Sequence, residues 1–269
     1  MMLCLAALVG EVLVLGQLPT IEFALLTFFP PFFISLSSFA MNDLLDLEAD
    51  RANRRFDRPL VLGTVKPWEA RFLAVFGFIV GVGSAALINV AAFAIALVFG
   101  LLGLLYSFRL KWLPLVGNTF IAFSMAVPFV FGNMAVSAVL SQSVVILALI
   151  AFVAGLAREV MKTVQDLEGD MLAGRGRTLP MIVGAHLSLM YASLLFIIAV
   201  LVSFIPFLYV PAYRSDFNYL APIVIADSVF IYVALRIVYD AKEFLPAARS
   251  YTLVALFFGL LGFLAGALF

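Results

Sequence analysis

The stretch FALLTFFPPFFISLSSFAMNDLLDLEAD, residues 23–50, carries no charge from Phe23 to Asn42 and then sets Asp43, Asp46, Glu48 and Asp50 within about two helical turns. Roughly 18 to 25 apolar residues cross a bilayer as a helix, and runs of this kind recur along the chain. Of its 269 residues, 65% are hydrophobic and 12% charged, against about 25% charged in a soluble domain. Mean hydropathy is +1.17. The composition is that of an all-α integral membrane protein. Apolar runs predict nine transmembrane helices, near 2–16, 23–45, 68–88, 91–108, 115–135, 143–165, 180–205, 216–239 and 247–269, the first of them short.

Lys/Arg bias in short loops sets membrane orientation. On the connections after the second, fourth, sixth and eighth spans, or in the span ends beside them, lie Arg51, Arg54, Arg55, Arg58, Lys66, Arg71, Arg109, Lys111, Arg158, Lys162, Arg175, Arg177, Arg236, Lys242 and Arg249. Only Arg214 of the 16 basic residues falls on the other side. The predicted protein is multi-pass in the cell membrane, with its N-terminus inside, its C-terminus outside and its polar chemistry toward the cytoplasm. The first span lacks the basic n-region of a cleavable signal peptide and further spans follow it.

The longest polar connection runs from about Asp46 to Pro67, so the chain reads as a single transmembrane domain over 1–269 without linkers. One cysteine, Cys4, excludes an intrachain disulfide, and one histidine, His186, argues against a His-built metal or haem site. Nothing points to a nucleic acid or an obligatory protein partner.

The pentapeptide DLEAD at 46–50 returns as DLEGD at 166–170. A shift of four spans preserves direction, so the halves are predicted to be parallel pseudo-repeats. Their helix ends can then face each other across one cavity. Asn42, Asp46 and Asp50 recur every four residues, which puts them on one face if the second span stays helical. Like charges so spaced disfavour a helix, and a carboxylate at bilayer depth is costly. A cation should compensate. One reading is a solvated helix end paired with Arg51, Arg54 and Arg55. The other is Mg²⁺, which keeps waters and is held by one or two carboxylates plus substrate phosphates.

Asp166 and Asp170 repeat the spacing, preceded on the same helix by Arg158, Glu159 and Lys162. Two acidic arms suggest a diphosphate clamped through metal, and a departing diphosphate needs further positive charge. Arg54, Arg58, Lys111, Lys162, Arg175 and Arg177 are candidates on that face; positive-inside topology alone also explains them. No Ser-His-Asp set, nucleophilic Cys or Walker-type glycine loop competes.

Asn42-Asp43-x-x-Asp46-x-x-x-Asp50 with Arg54 and Arg58-Pro59-Leu60, then YSFRLKWLPLVGN from Tyr106 to Asn118, then Asp166-x-x-x-Asp170 with Gly174 and Thr178-Leu179-Pro180, together resemble the UbiA superfamily of intramembrane prenyltransferases. The likeness covers essentially the whole chain. It implies helices around a central cavity, a polyprenyl diphosphate donor, a lipophilic acceptor and Mg²⁺ at two Asp motifs. Carried over by position, Asn42, Asp46, Asp50, Asp166 and Asp170 are metal ligands. Arg58, Lys111 and Lys162 neutralise the leaving diphosphate, with Arg54, Asn118 and Arg158 also on the substrate. Tyr106 and Ser107 lie near the reacting carbon or its phosphate.

Two departures are visible: the chain begins MMLCLAALVG without the family's polar, Arg/Asn-bearing start, and Val61-Leu62 stands where the family has Pro-Ser. A truncated start or a missing contact follows from the first. The run from Arg158 to Pro180 resembles the archaeal digeranylgeranylglyceryl phosphate synthase branch, whose acceptor is geranylgeranylglyceryl phosphate. Arg175 and Arg177 are candidates for an acceptor phosphate. An aromatic, quinone-type acceptor is the alternative. A cation transporter would also use duplicated acids, but is expected to hold them near mid-span between unwound helices.

Overall fold

A computed structural model describes residues 1–52, 55–173 and 177–269. The elements are α1 (Met2–Leu15), α2 (Ile21–Ala52), α3 (Pro59–Leu62), α4 (Pro67–Ala86), α5 (Val90–Phe108), α6 (Val116–Val136), α7 (Gln142–Gln165), α8 (Leu167–Ala173), α9 (Leu179–Val183), α10 (Ala185–Tyr209), α11 (Phe217–Tyr239) and α12 (Ala241–Leu268). A 3-10 turn at Leu110–Trp112 joins α5 to α6, and the described residues contain no strand.

Eight helices are long and apolar enough to cross a membrane: α2, α4, α5, α6, α7, α10, α11 and α12. The chain is a multi-pass membrane protein. The first expected span is the exception. α1 has 14 residues and at 1.5 Å per residue rises about 21 Å, less than the ~30 Å hydrocarbon layer. The seventh expected span is displaced too, because Gly184, at φ 87°, separates α9 from α10. Only glycine adopts that backbone without strain.

Lipid tails are as apolar as leucine, so helices in a bilayer associate by close packing of small residues and by interhelical hydrogen bonds. A Cβ on Gly132 of α6 would overlap the Ala7 carbonyl of α1, and one on Gly10 the Phe129 carbonyl of α6. Gly77 of α4 likewise leaves only 2.8 Å from a would-be Cβ to the Phe33 carbonyl oxygen of α2, where Ser37 Oγ donates to the Ala74 carbonyl at 2.7 Å. Gly132→Val is therefore expected to force α1 from α6, with an overpacking cost of about 1–3 kcal/mol. Loss of the monodisperse peak on heating in detergent reads this out. Gly83→Val is the control, since nothing lies within 4 Å of a Cβ there.

α7 is the most enclosed of the eight spans, with 67% of its apolar window buried, so its polar residues Arg158, Glu159 and Lys162 point into the protein rather than into lipid. α2 has 32 residues, about 48 Å of helix. That exceeds the ~30 Å hydrocarbon layer, and Asn42, Asp46 and Asp50 lie in the helix's last three turns.

Candidate functional site

The expected face on α2 exists, because the helix continues unbroken to Ala52. Each acid on it has a cation. Lys111 Nζ, on the 3-10 turn, donates to Asp46 Oδ1 at 2.6 Å and to Asn42 Oδ1 at 3.3 Å. Arg58 Nη1 donates to Asp43 Oδ1 at 2.5 Å, and its Nε lies 4.0 Å from Asp50 Oδ2. Arg55 is 3.8 Å from Asp50. Burial raises the Asp50 carboxyl above its ordinary range, with Arg58 and Arg55 opposing.

The second motif corrects the expectation of one continuous helix. α7 ends at Gln165, Asp166 caps it, and α8 starts anew at Leu167. The same acidic spacing stays helical in α2, so charge alone does not make this break; the Asp170 N–H still donates to the Asp166 carbonyl at 3.0 Å, keeping both acids on one turn. Lys162 pairs with Glu159 Oε2 at 3.5 Å. Burial first, and the Asp166 charge second, push the Asp170 carboxyl up to about 6; Asp46 pushes the same way, while Lys162 and Lys111 oppose. Asn42 and Asp43 of the first motif line one cavity with Glu159 and Lys162, just before the second, so the helix ends that carry the two motifs meet at that cavity.

Among the described residues no three acids form a ready-made metal nest. Each arm instead offers two hard carboxylates, and the burial and neighbouring negative charge that raise the Asp170 carboxyl are relieved by a cation beside it. That donor set fits a hydrated Mg²⁺ shared with phosphate oxygens.

Below the arms lies a cavity of about 730 Å³. Asn42, Asp43 and Arg58 enter its wall, with Asp46 and Asp50 one and two turns further along α2. Its body is apolar, with Phe99, Phe120, Phe129, Phe131 and Phe263 among the lining residues. Tyr106 lines it and stacks on Phe120, ring centroids 5.2 Å apart, within electrostatic reach of Asp46, Asp166 and Asp170. Ser107 lines it as well, its hydroxyl donating to the Gly103 carbonyl at 3.1 Å.

Other expected residues fall elsewhere. Asn118 is not on the cavity wall; its Nδ2 donates to Thr163 Oγ1 at 2.6 Å and to the Glu159 carbonyl at 3.1 Å, so it positions α7 against α6. Arg177 is exposed, and its backbone N–H donates to the Trp112 carbonyl at 3.3 Å. Arg54, Gly174 and Arg175 lie outside the described residues. Arg158 and Lys162 are on the wall, together with three residues the sequence did not single out: Glu159 as partner of both, Arg249 of α12, and Asp227 of α11, which accepts from Ser203 Oγ at 2.7 Å. Asp227 was visible as a lone charge inside an apolar run, the usual mark of a functional intramembrane residue.

A sequence profile described as the UbiA prenyltransferase family matches residues 3–261. The chain is 40% identical over 244 residues to digeranylgeranylglyceryl phosphate synthase of Archaeoglobus fulgidus, covering 90% of this chain and 83% of that one. A solved structure concerned with digeranylgeranylglyceryl phosphate synthase in membranes superposes with a TM-score of 0.77 at 30% identity, over 98% of this chain and 92% of the other. A UbiA homolog from Archaeoglobus fulgidus bound to GPP and Mg²⁺ has the same fold, with a TM-score of 0.66 at 21% identity over 96% of this chain and 94% of that one.

Proposed function

The chain belongs to the UbiA prenyltransferase family and is a prenyltransferase; we propose that it moves a geranylgeranyl group from its diphosphate to the free hydroxyl of geranylgeranylglyceryl phosphate, in archaeal ether-lipid synthesis. The carrying observation is that the helix ends bearing the two acidic motifs meet at one apolar cavity, whose wall holds Asn42, Asp43, Glu159 and Lys162. A diphosphate head and an isoprenoid tail need those two environments joined. The acceptor follows from the relative named above, and the cation-rich loops support a cytoplasmic mouth.

Asn42, Asp46 and Asp50 would hold one Mg²⁺ and Asp166 and Asp170 another, each shared with the donor diphosphate. When bound, the metal supplies Lewis-acid stabilisation to the departing diphosphate oxygens. Lys111 and Arg58 add charge-assisted hydrogen bonds to the same oxygens. The apolar cavity takes the tail and keeps water from the allylic carbon. Tyr106, held flat by Phe120, turns a π face toward positive charge growing on that carbon. The bond from carbon 1 to the diphosphate oxygen breaks, the acceptor oxygen bonds to carbon 1, and the hydroxyl proton leaves with the diphosphate.

The test is transfer from labelled geranylgeranyl diphosphate with Mg²⁺, offering geranylgeranylglyceryl phosphate and 4-hydroxybenzoate side by side. Product on the glyceryl phosphate alone is expected. Product only on the aromatic would move the protein to quinone-type chemistry, and full turnover in EDTA would remove the metal from the reaction.

A further inference from the structure

Arg158 is 8% exposed, in the interior of α7, and faces the cavity. Its Nη1 donates to Glu159 Oε1 at 3.0 Å, but its Nε is buried without a hydrogen-bond partner. A buried guanidinium donor left unmade is costly and calls for an acceptor. Arg249 enters the same cavity from α12, close enough for its charge to act on Arg158, and among the described residues no carboxylate lies within ion-pair distance of it. Two guanidinium groups thus converge on one cavity whose carboxylates are already engaged: Glu159 by Arg158 and Lys162, Asp43 by Arg58 and Asp227 by Ser203. The described cavity wall carries Arg58, Arg158, Lys162 and Arg249 against Asp43, Glu159 and Asp227, an excess of positive side chains of the sign that attracts a phosphate monoester, about −1.5 to −2 at neutral pH.

Position separates this pocket from the diphosphate arms. Arg158, Lys162 and Asp166 succeed one another at intervals of four residues, so Arg158 lies about 12 Å along the helix from the second arm. Lys162 stands between. A substrate with its phosphate at Arg158 and its reacting hydroxyl toward Lys162 meets the donor's first carbon at the arms.

We propose that Arg158 and Arg249 form the subsite for the phosphate of a prenylated glyceryl phosphate acceptor, distinct from the metal-dependent diphosphate clamp. This rests on the prenyl-transfer reading above and assigns α12 a role in acceptor selection. A fork of N–H donors suits a phosphate in two-point contact, which a lysine ammonium does not reproduce.

The test uses Arg249→Gln and Arg249→Lys in the full chain, with steady-state kinetics for each substrate. Arg249→Gln is expected to raise KM for geranylgeranylglyceryl phosphate by about tenfold or more, the usual effect of losing a hydrogen bond between charged groups, while KM for geranylgeranyl diphosphate stays unchanged. Arg249→Lys is expected to fall between, and phosphate-free geranylgeranylglycerol to react equally with wild type and Arg249→Gln. Calorimetric binding of geranylgeranylglyceryl phosphate in EDTA should persist in wild type and weaken in Arg249→Gln, because this subsite needs no metal. A rise in donor KM alone, no change in either KM, or equal binding by wild type and variant in EDTA would each overturn the assignment. Failure of the prenyl-transfer reading would show differently, as wild type yielding no product with any acceptor, and the binding comparison would still decide for the arginines.

Discussion

Asp46→Asn and Asp170→Asn each lower prenyl transfer by about 10²–10³-fold, the size expected when one preorganised charge-stabilising group is lost from an active site. The substitutions keep side-chain shape and remove only charge, one on each arm. The arms act as a unit on one diphosphate, so the double variant is expected to fall little below the worse single one. Initial rates with labelled donor at saturating Mg²⁺ measure this. An Asp170→Asn enzyme with the wild-type rate would remove the second arm from the clamp, and strictly additive losses would show two independent sites.

Lys111→Met is expected to reduce kcat by about 10²-fold while tightening Mg²⁺ binding in the absence of donor. The opposite signs follow from one contact. Lys111 is the cation that Asp46 and Asn42 hold, at 2.6 and 3.3 Å, and its side chain is only 10% exposed. Removing it frees carboxylate charge for a divalent ion. The departing diphosphate, however, loses a donor. Mn²⁺ binding followed by electron paramagnetic resonance, beside single-turnover rates, separates the two effects. A merely structural lysine would weaken both together.

Much of the clamp was legible in the sequence because it is local. The four-residue spacing of Asn42, Asp46 and Asp50 needs only an unbroken helix to become a face, and α2 supplies it. The duplicated pentapeptide announced a second arm by the same logic. The shortness of the first span was legible too, as a short apolar run before Gly16; what spacing could not show was the break at Asp166, because the same acidic spacing stays helical in α2. Contacts between distant segments were also hidden. Asn118 and Arg158 share one face of the membrane in the sequence, yet one is engaged in helix packing and the other faces the cavity. Arg249 read as a topology signal because basic residues at that face are expected on orientation grounds alone; only its meeting with Arg158 distinguishes it.

The lopsided enclosure of the bundle bears on how such an enzyme changes its product. The second arm of the donor grip is anchored on α7, which is two-thirds enclosed, whereas α2 with the first arm is mostly open to lipid. Arg249 rides on α12, of which only 28% is enclosed. Substitutions along α12 meet mostly lipid on their other side, where many apolar residues serve equally well. Acceptor preference can therefore drift by single steps on a permissive helix while the α7 end of the diphosphate machinery stays under strict packing constraint, a division of tolerance that lets one scaffold diversify its lipids without relearning its chemistry.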